Sequence, residues 1–214
     1  RLLKHSDGNV YAFCNRSVFK CSMNQTVETV FPDIAIPSPT YSVAQAPDKD
    51  IYIGTESNGL YIYSEKWKLK KHVPIDGIIA TILPDNNGDI WLGLDETGIC
   101  LFNKNKQTFT WLHKDNTNLN NNSIRTFVSY GDSSILVGTF RGLNILNKKE
   151  LTITPANINI AGKGGLSHYS IHSMLIDKDQ TLWIGTYSAG VNYHSPFYRP
   201  VSYITPNEYA GIIG

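Results

Sequence analysis

The apolar residues of this chain of 214 residues gather in short runs that are apolar at every position. The pattern is neither the alternation of a half-exposed strand nor the helical spacing of every third and fourth residue. The runs align with one another on an aromatic or aliphatic anchor. They read Ile51-Tyr52-Ile53-Gly54-Thr55, Ile90-Trp91-Leu92-Gly93-Leu94, Ile135-Leu136-Val137-Gly138-Thr139 and Leu182-Trp183-Ile184-Gly185-Thr186, with a degenerate copy at Val10-Tyr11-Ala12-Phe13. A second glycine follows each good copy, at Gly59, Gly98, Gly142 and Gly190, and opens another apolar run. The anchors at 11, 52, 91, 136 and 183 are 41, 39, 45 and 47 residues apart, a period that marks a propeller or solenoid built of short strands.

Successive strand residues face opposite sides, so in each copy both faces are apolar. A sheet with one wet face should alternate, and no window of the chain holds a helical period that would supply a covering helix. The remaining cover is another sheet on each side, the arrangement of stacked propeller blades. The predicted fold is therefore all-β, a β-propeller of four-stranded antiparallel blades with about five repeats, near 1–32, 40–74, 78–113, 123–155 and 169–205, followed by a link and the start of a further repeat over 206–214. The fourth repeat places its strands at 124–129, 134–139, 143–147 and 151–154. First strands elsewhere are expected at 41–46, 78–83 and 170–176, and outer strands at 70–73, 108–112 and 201–204. The glycine after the anchor leaves room for a bulky neighbour, and the second glycine suits a turn with positive φ. Asp48-Lys49-Asp50, the run Asp85 to Asp89, and Asp177-Lys178-Asp179-Gln180 supply turn formers between first and second strands.

Lysine and arginine number 19 against 18 acidic residues, a formal charge of +1. That balance gives no field for nucleic acid, and no apolar run is long enough to span a membrane. Charged residues are only 17% while Asn, Ser, Thr and Tyr abound, a surface suited to neutral polar partners. Cys14 and Cys21 flank the first hairpin and meet across it only if the register is right, and Cys100 is left over. The start at Arg1 aligns with mid-strand, so the chain reads as a piece of a longer one.

Candidate chemistry is sparse. His168 and His172 have the four-residue spacing that puts two metal ligands on one face of a helix, but Tyr169-Ser170-Ile171 reads as the start of a strand. Asp95-Glu96 offers half of a glycosidase pair, or simply a solvated turn. Asp85 to Asp89 is too short to wrap calcium, and the cysteines lack the His and Asn of a thiol nucleophile. The sequons at Asn15, Asn24 and Asn121 matter only in a eukaryotic secretory chain. No cofactor is expected. Ligand contacts are expected where loops between second and third strands, with Glu56, Asn58, Asp95, Phe140, Arg141 and Tyr187, share an end with the links between repeats, with Asn118, Asn120, His168 and Tyr169. Aromatic faces stack on sugar rings, and Arg and Asn bond hydroxyls or carboxylates. The candidate ligand-binding residues are Arg141, Tyr187, His168, Tyr169, Asn58 and Asp95, with Arg141 and Tyr187 as the leading pair. The alternative is that both merely cover their blades.

The repeated aromatic-Ile/Leu-Gly-Thr block, its second glycine and the run Gly185 to Pro196 resemble the two-component regulator propeller family, the periplasmic sensor regions of hybrid two-component systems in Bacteroides-type bacteria. The resemblance implies a non-catalytic periplasmic sensor region of an inner-membrane protein that detects a glycan breakdown product and signals to a histidine kinase elsewhere in the parent chain. It also implies an oligosaccharide partner and a homodimer formed through parts outside this chain. Family members are similar to seven-bladed rings, so blades are expected beyond the five counted here, with residues 204–207 leading toward a second propeller. Phe13 and Cys14 depart from the family's Gly-Thr. Two other readings compete: a propeller lyase or glycosidase, which needs converging titratable groups, and a protein-binding scaffold, which needs a large exposed apolar patch.

Overall fold

The computed structural model describes residues 1–22, 27–29, 36–156, 165–195 and 202–204. The sequon at Asn24 and the link and strand expected over 206–214 lie outside them. The described residues contain no helix, and their strands form five four-stranded antiparallel sheets in sequential order. These are propeller blades, as the repeat predicts. Blade 1 comprises β1 Leu2–Lys4, β2 Val10–Cys14, β3 Ser17–Cys21 and β4 Val27–Thr29; blade 2, β5 Thr40–Gln45, β6 Ile51–Thr55, β7 Leu60–Tyr63 and β8 Leu69–Val73. Blade 3 comprises β9 Ile79–Pro84, β10 Asp89–Leu94, β11 Gly98–Asn103 and β12 Thr108–Leu112; blade 4, β13 Ile124–Tyr130, β14 Ser134–Thr139, β15 Gly142–Asn147 and β16 Ile153–Pro155; blade 5, β17 Ile171–Ile176, β18 Leu182–Thr186, β19 Val191–His194 and β20 Ser202–Ile204. The last strand of blade 4 starts two residues later than expected because Leu151 sits at φ 55° and still belongs to the turn.

The chain divides into two compact units, Arg1–Trp111 and Leu112–Gly214. In the first, Tyr11, Phe13 and Val18 of blade 1 pack against Ile51, Ile53, Tyr61 and Tyr63 of blade 2. The opposite face of blade 2, with Tyr52, Leu60 and Ile62, packs against Ile79, Ile90, Leu92 and Leu94 of blade 3. In the second unit Leu136 and Leu143 of blade 4 meet Ile171, Leu182 and Ile184 of blade 5. The parity is constant in these three interfaces: the anchor of each second strand faces the following blade, and its aliphatic neighbours face the preceding one. Every residue of β6 is buried, and Trp91 is 1% exposed. In β18 Leu182 and Ile184 are buried while Trp183, on the other face, is half-buried.

The first glycine of the repeat is a steric requirement. A Cβ on Gly54 would lie 2.6 Å from Ile79 Cγ2 and 2.4 Å from Ser42 Oγ, and one on Gly138 would lie 2.6 Å from Ile171 Cγ2. The Ser42 hydroxyl donates to the Ile79 carbonyl at 2.6 Å, sealing the same junction. Register explains the degenerate first copy. Thr40 opposes Thr55 as Ile79 opposes Leu94 and Ile171 opposes Thr186, so blade 2 carries a small residue where blades 3 and 5 carry isoleucine. Blade 1 correspondingly carries Phe13 where Gly54 and Gly138 stand. There the Phe13 ring meets Trp67 of blade 2, with centroids 6.1 Å apart.

The threonine after the glycine closes the next turn. Thr55, Thr139 and Thr186 Oγ1 donate to the carbonyls of Gly59, Gly142 and Gly190 at 2.8, 2.9 and 2.9 Å. Those glycines have φ of 73°, 115° and 78°, in the region where a Cβ clashes. Cys14 pairs with Ser17 and Cys21 with Val10, so the two thiols sit at opposite ends of their hairpin and both are free.

Gly138→Ala should cost about 1–3 kcal/mol by overpacking, and Thr139→Val about 1–3 kcal/mol through two lost hydrogen bonds, to the Gly142 carbonyl and from the Arg141 N–H. Urea denaturation reads both, and an undiminished midpoint for Gly138→Ala would contradict the packing described.

Candidate functional site

In blades 2 to 5 the residue after the second strand donates its N–H to the carbonyl just before the first strand. The pairs are Glu56 to Pro39, Asp95 to Ile78, Phe140 to Ser123 and Tyr187 to Ser170, each at 3.0 Å. Each bond ties a loop between second and third strands to the link that leads into its own blade. The two loop sets expected to carry ligand contacts therefore do share an end within each blade.

In the second unit this end carries a cluster of aromatic and cationic side chains. Arg141 and Tyr169 line an open depression of about 360 Å³. The Arg141 N–H is held by Thr139 Oγ1 at 3.0 Å, and Tyr169 stacks on His168 with ring centroids 4.4 Å apart. His168 Nδ1 accepts from the Ser170 N–H at 3.0 Å, which orients that ring. The structure thus joins Arg141 to Tyr169 rather than to Tyr187, the partner favoured from sequence. Tyr187 is 74% exposed and is tied to the neighbouring Ser170 only through its backbone. Buried Asn144 and Asn192 fix the links: their Oδ1 atoms accept the N–H groups of Asn120 at 3.0 Å and Ser167 at 2.9 Å.

Sequence reasoning missed Arg125. The register of β13 against β14 skips from Ile124 to Thr126, leaving Arg125 as the extra residue of a β-bulge. Bulges re-aim side chains, and the Arg125 guanidinium lies over the Phe140 ring at 5.9 Å. The same bulge falls at Tyr41, Ala80 and His172. His172 is accordingly an exposed strand residue, not half of a helical metal pair. No group of three or more metal-ligating side chains occurs among the described residues.

In the first unit, the Asn58 N–H donates to Thr55 Oγ1 at 2.9 Å and its carbonyl contacts His72 Nε2 at 2.7 Å. Asp95 is half-buried beside Glu96, whose φ of 67° makes that pair part of a tight turn. Both residues hold the loops of their blades in place.

Residues 165–188 match the model of the family described as two component regulator propeller. That stretch is a regulator propeller repeat. It runs from the link before blade 5 through β17 and β18 into the loop carrying Tyr187. Among solved structures, the extracellular domain assigned to a hybrid two-component system of B. thetaiotaomicron shares 19% identity over 96% of this chain and 27% of that one, with a TM-score of 0.77. A second such domain from the same organism shares 14% over 97% of this chain and 40% of that one, at 0.55. PorZ, a surface component of the type-IX secretion system of Porphyromonas gingivalis, shares 17% over 96% and 36%, at 0.65. At these identities the likeness establishes the propeller fold. The chain spans well under half the length of each of these proteins. No curated protein matches it.

The opposite end of blades 1, 2 and 5 is held by aspartates. Asp7, Asp48 and Asp177 each accept a backbone N–H two residues on, at 2.9, 3.1 and 2.9 Å, forming the turns between first and second strands. Asp7 and Asp177 also hold the tips of their anchors, accepting from the Tyr11 hydroxyl at 2.8 Å and from Trp183 Nε1 at 2.7 Å. The Trp183 bond holds the Asp177 carboxyl below its ordinary value. Between blades 2 and 3, Lys104 Nζ lies 2.5 Å from Asp48 and 2.6 Å from buried Asp50. Burial alone would raise Asp48, but the Lys104 hydrogen bond and the Asp50 N–H outweigh it and lower its pKa.

A carboxyl lowered on folding contributes stability that is complete above its unfolded value and is lost as pH falls through the folded one. Asp48 and Asp177 start from 3.8. The midpoint of thermal unfolding should therefore hold from neutrality down to about pH 4 and fall steeply below it. Lys104→Gln should shallow that fall; an unchanged acid limb would show that the Lys104 cluster does not stabilise the fold.

Proposed function

We propose that this chain is part of the periplasmic sensor region of a hybrid two-component signalling protein, detecting a carbohydrate and passing the signal to a histidine kinase elsewhere in its parent. The observation that carries the reading is the likeness of nearly the whole chain to the extracellular domain assigned to such a system, joined to the regulator propeller repeat at 165–188. The Arg141 and Tyr169 depression suits the ligand class: an aromatic face for a sugar ring beside a guanidinium that donates to hydroxyls or a uronic carboxylate. Signal transfer through a homodimer of the parent is part of the same reading.

A non-catalytic role agrees with where the perturbed acids lie. Asp7, Asp48 and Asp177 serve as turn clamps at the end of their blades away from the loops, and each is engaged by backbone N–H groups and a side-chain donor. A lyase or glycosidase needs acids converging on a bond to be broken. Calorimetry against neutral and uronate oligosaccharides should give binding without turnover. Arg141→Ala and Tyr169→Ala should each weaken it about tenfold, near 1.4 kcal/mol. Release of reducing ends would sink the sensor reading, and silence across the panel would favour a protein-binding scaffold.

A further inference from the structure

The outer strands of blades 2 and 3 have the same burial, four exposed residues followed by one buried. Their chemistry differs. Aligned on the buried Val73 and Leu112, Lys70 and His72 of β8 correspond to Phe109 and Trp111 of β12. A charged edge is the usual protection of an outer strand. Blade 3 instead leaves Phe109 42% and Trp111 36% exposed, at positions where the blade fold is satisfied by lysine and histidine.

These two rings share one side of β12 and line a groove of about 390 Å³ with Pro74, Ile75, Asp76 and Thr97, a size in the range of small-ligand sites. Phe109 is pre-set: it stacks on buried Phe102 with centroids 5.0 Å apart and planes 17° apart. Positions two apart on a strand are about 6.6 Å apart, comparable to the step between adjoining sugar rings. Asp76 lies in the link into blade 3 and Thr97 in the loop between its second and third strands, so an acceptor and a hydroxyl border the aromatic floor. An apolar floor rimmed by a carboxylate and a hydroxyl is complementary to a ring that is apolar on its faces and hydroxylated at its edge.

We infer that this groove on blade 3 is a binding site for a neutral oligosaccharide, with sugar rings on Trp111 and Phe109 and hydroxyls held by Asp76 and Thr97. It rests on the carbohydrate reading above but is a different site from the Arg141 and Tyr169 depression. The test is calorimetry and tryptophan fluorescence on the whole chain with maltohexaose, cellohexaose, xylohexaose and mannohexaose. At least one should bind and perturb the fluorescence. Trp111→Ala and Asp76→Asn should each weaken it about tenfold or more, with circular dichroism unchanged. Binding that survives both groove variants but fails in Arg141→Ala overturns the groove alone. Silence with all four sugars overturns the groove, and silence extending to uronate oligosaccharides overturns the carbohydrate reading as well. Tetramethylammonium binding abolished by Trp111→Ala, with no sugar binding, would show a cation site and overturn the assignment.

Discussion

A sheet that is apolar on both faces has to be covered on both, and with no helix among the described residues the cover is another sheet. Burying one Ile or Leu side chain is worth about 1.5–3 kcal/mol, and β6 buries all five of its residues. A hydrogen bond between neutral groups, at about 0.5–1.5 kcal/mol net, is smaller than that. Stacking therefore decides the architecture, and hydrogen bonds decide how closely neighbouring sheets and loops are held.

Stacking two-sided sheets demands complementary relief, which the repeat supplies by pairing a missing side chain with a branched one. Gly54 receives Ile79 and Gly138 receives Ile171. Phe13 faces a blade whose first strand has Thr40 at the corresponding position. A close-packed interior tolerates neither an extra methyl nor a hole at these glycine sites. The first repeat departs from that pairing, its Phe13 ring meeting Trp67 of blade 2.

Much of this was legible in the sequence because it depends on local order. Alternating faces, the two glycines and the aspartate turns are periodic signals, and the strands of blade 4 fall within about two residues of their expected limits. The bulge at Arg125 was not legible, since Ile124-Arg125-Thr126-Phe127 carries no turn signal and the extra residue shows only in the pairing with β14. Pairing at the candidate site was also hidden: Arg141 and Tyr169 belong to different blades, and which side chains meet across blades depends on loop courses that no spacing encodes. The groove on blade 3 escaped for the opposite reason. Phe109 and Trp111 alternate with Thr108 and Thr110 in a stretch that reads as ordinary half-buried strand, and only their exposure separates them from core.

Within each blade the two ends divide the work. At one, aspartates meet backbone N–H groups, anchor tips and lysines, so their polar capacity is spent on turns and on the join between neighbours. At the other, the N–H of the first loop residue and buried or half-buried side chains such as Thr139, Asn144, Thr186 and Asn192 hold the loops and links, while the side chains of Arg141, Tyr169 and Tyr187 are exposed. A fold that fixes its loops by main-chain bonds and such polar side chains leaves the exposed ones free to vary without cost to packing. That is the physical condition under which one blade architecture can present different recognition surfaces.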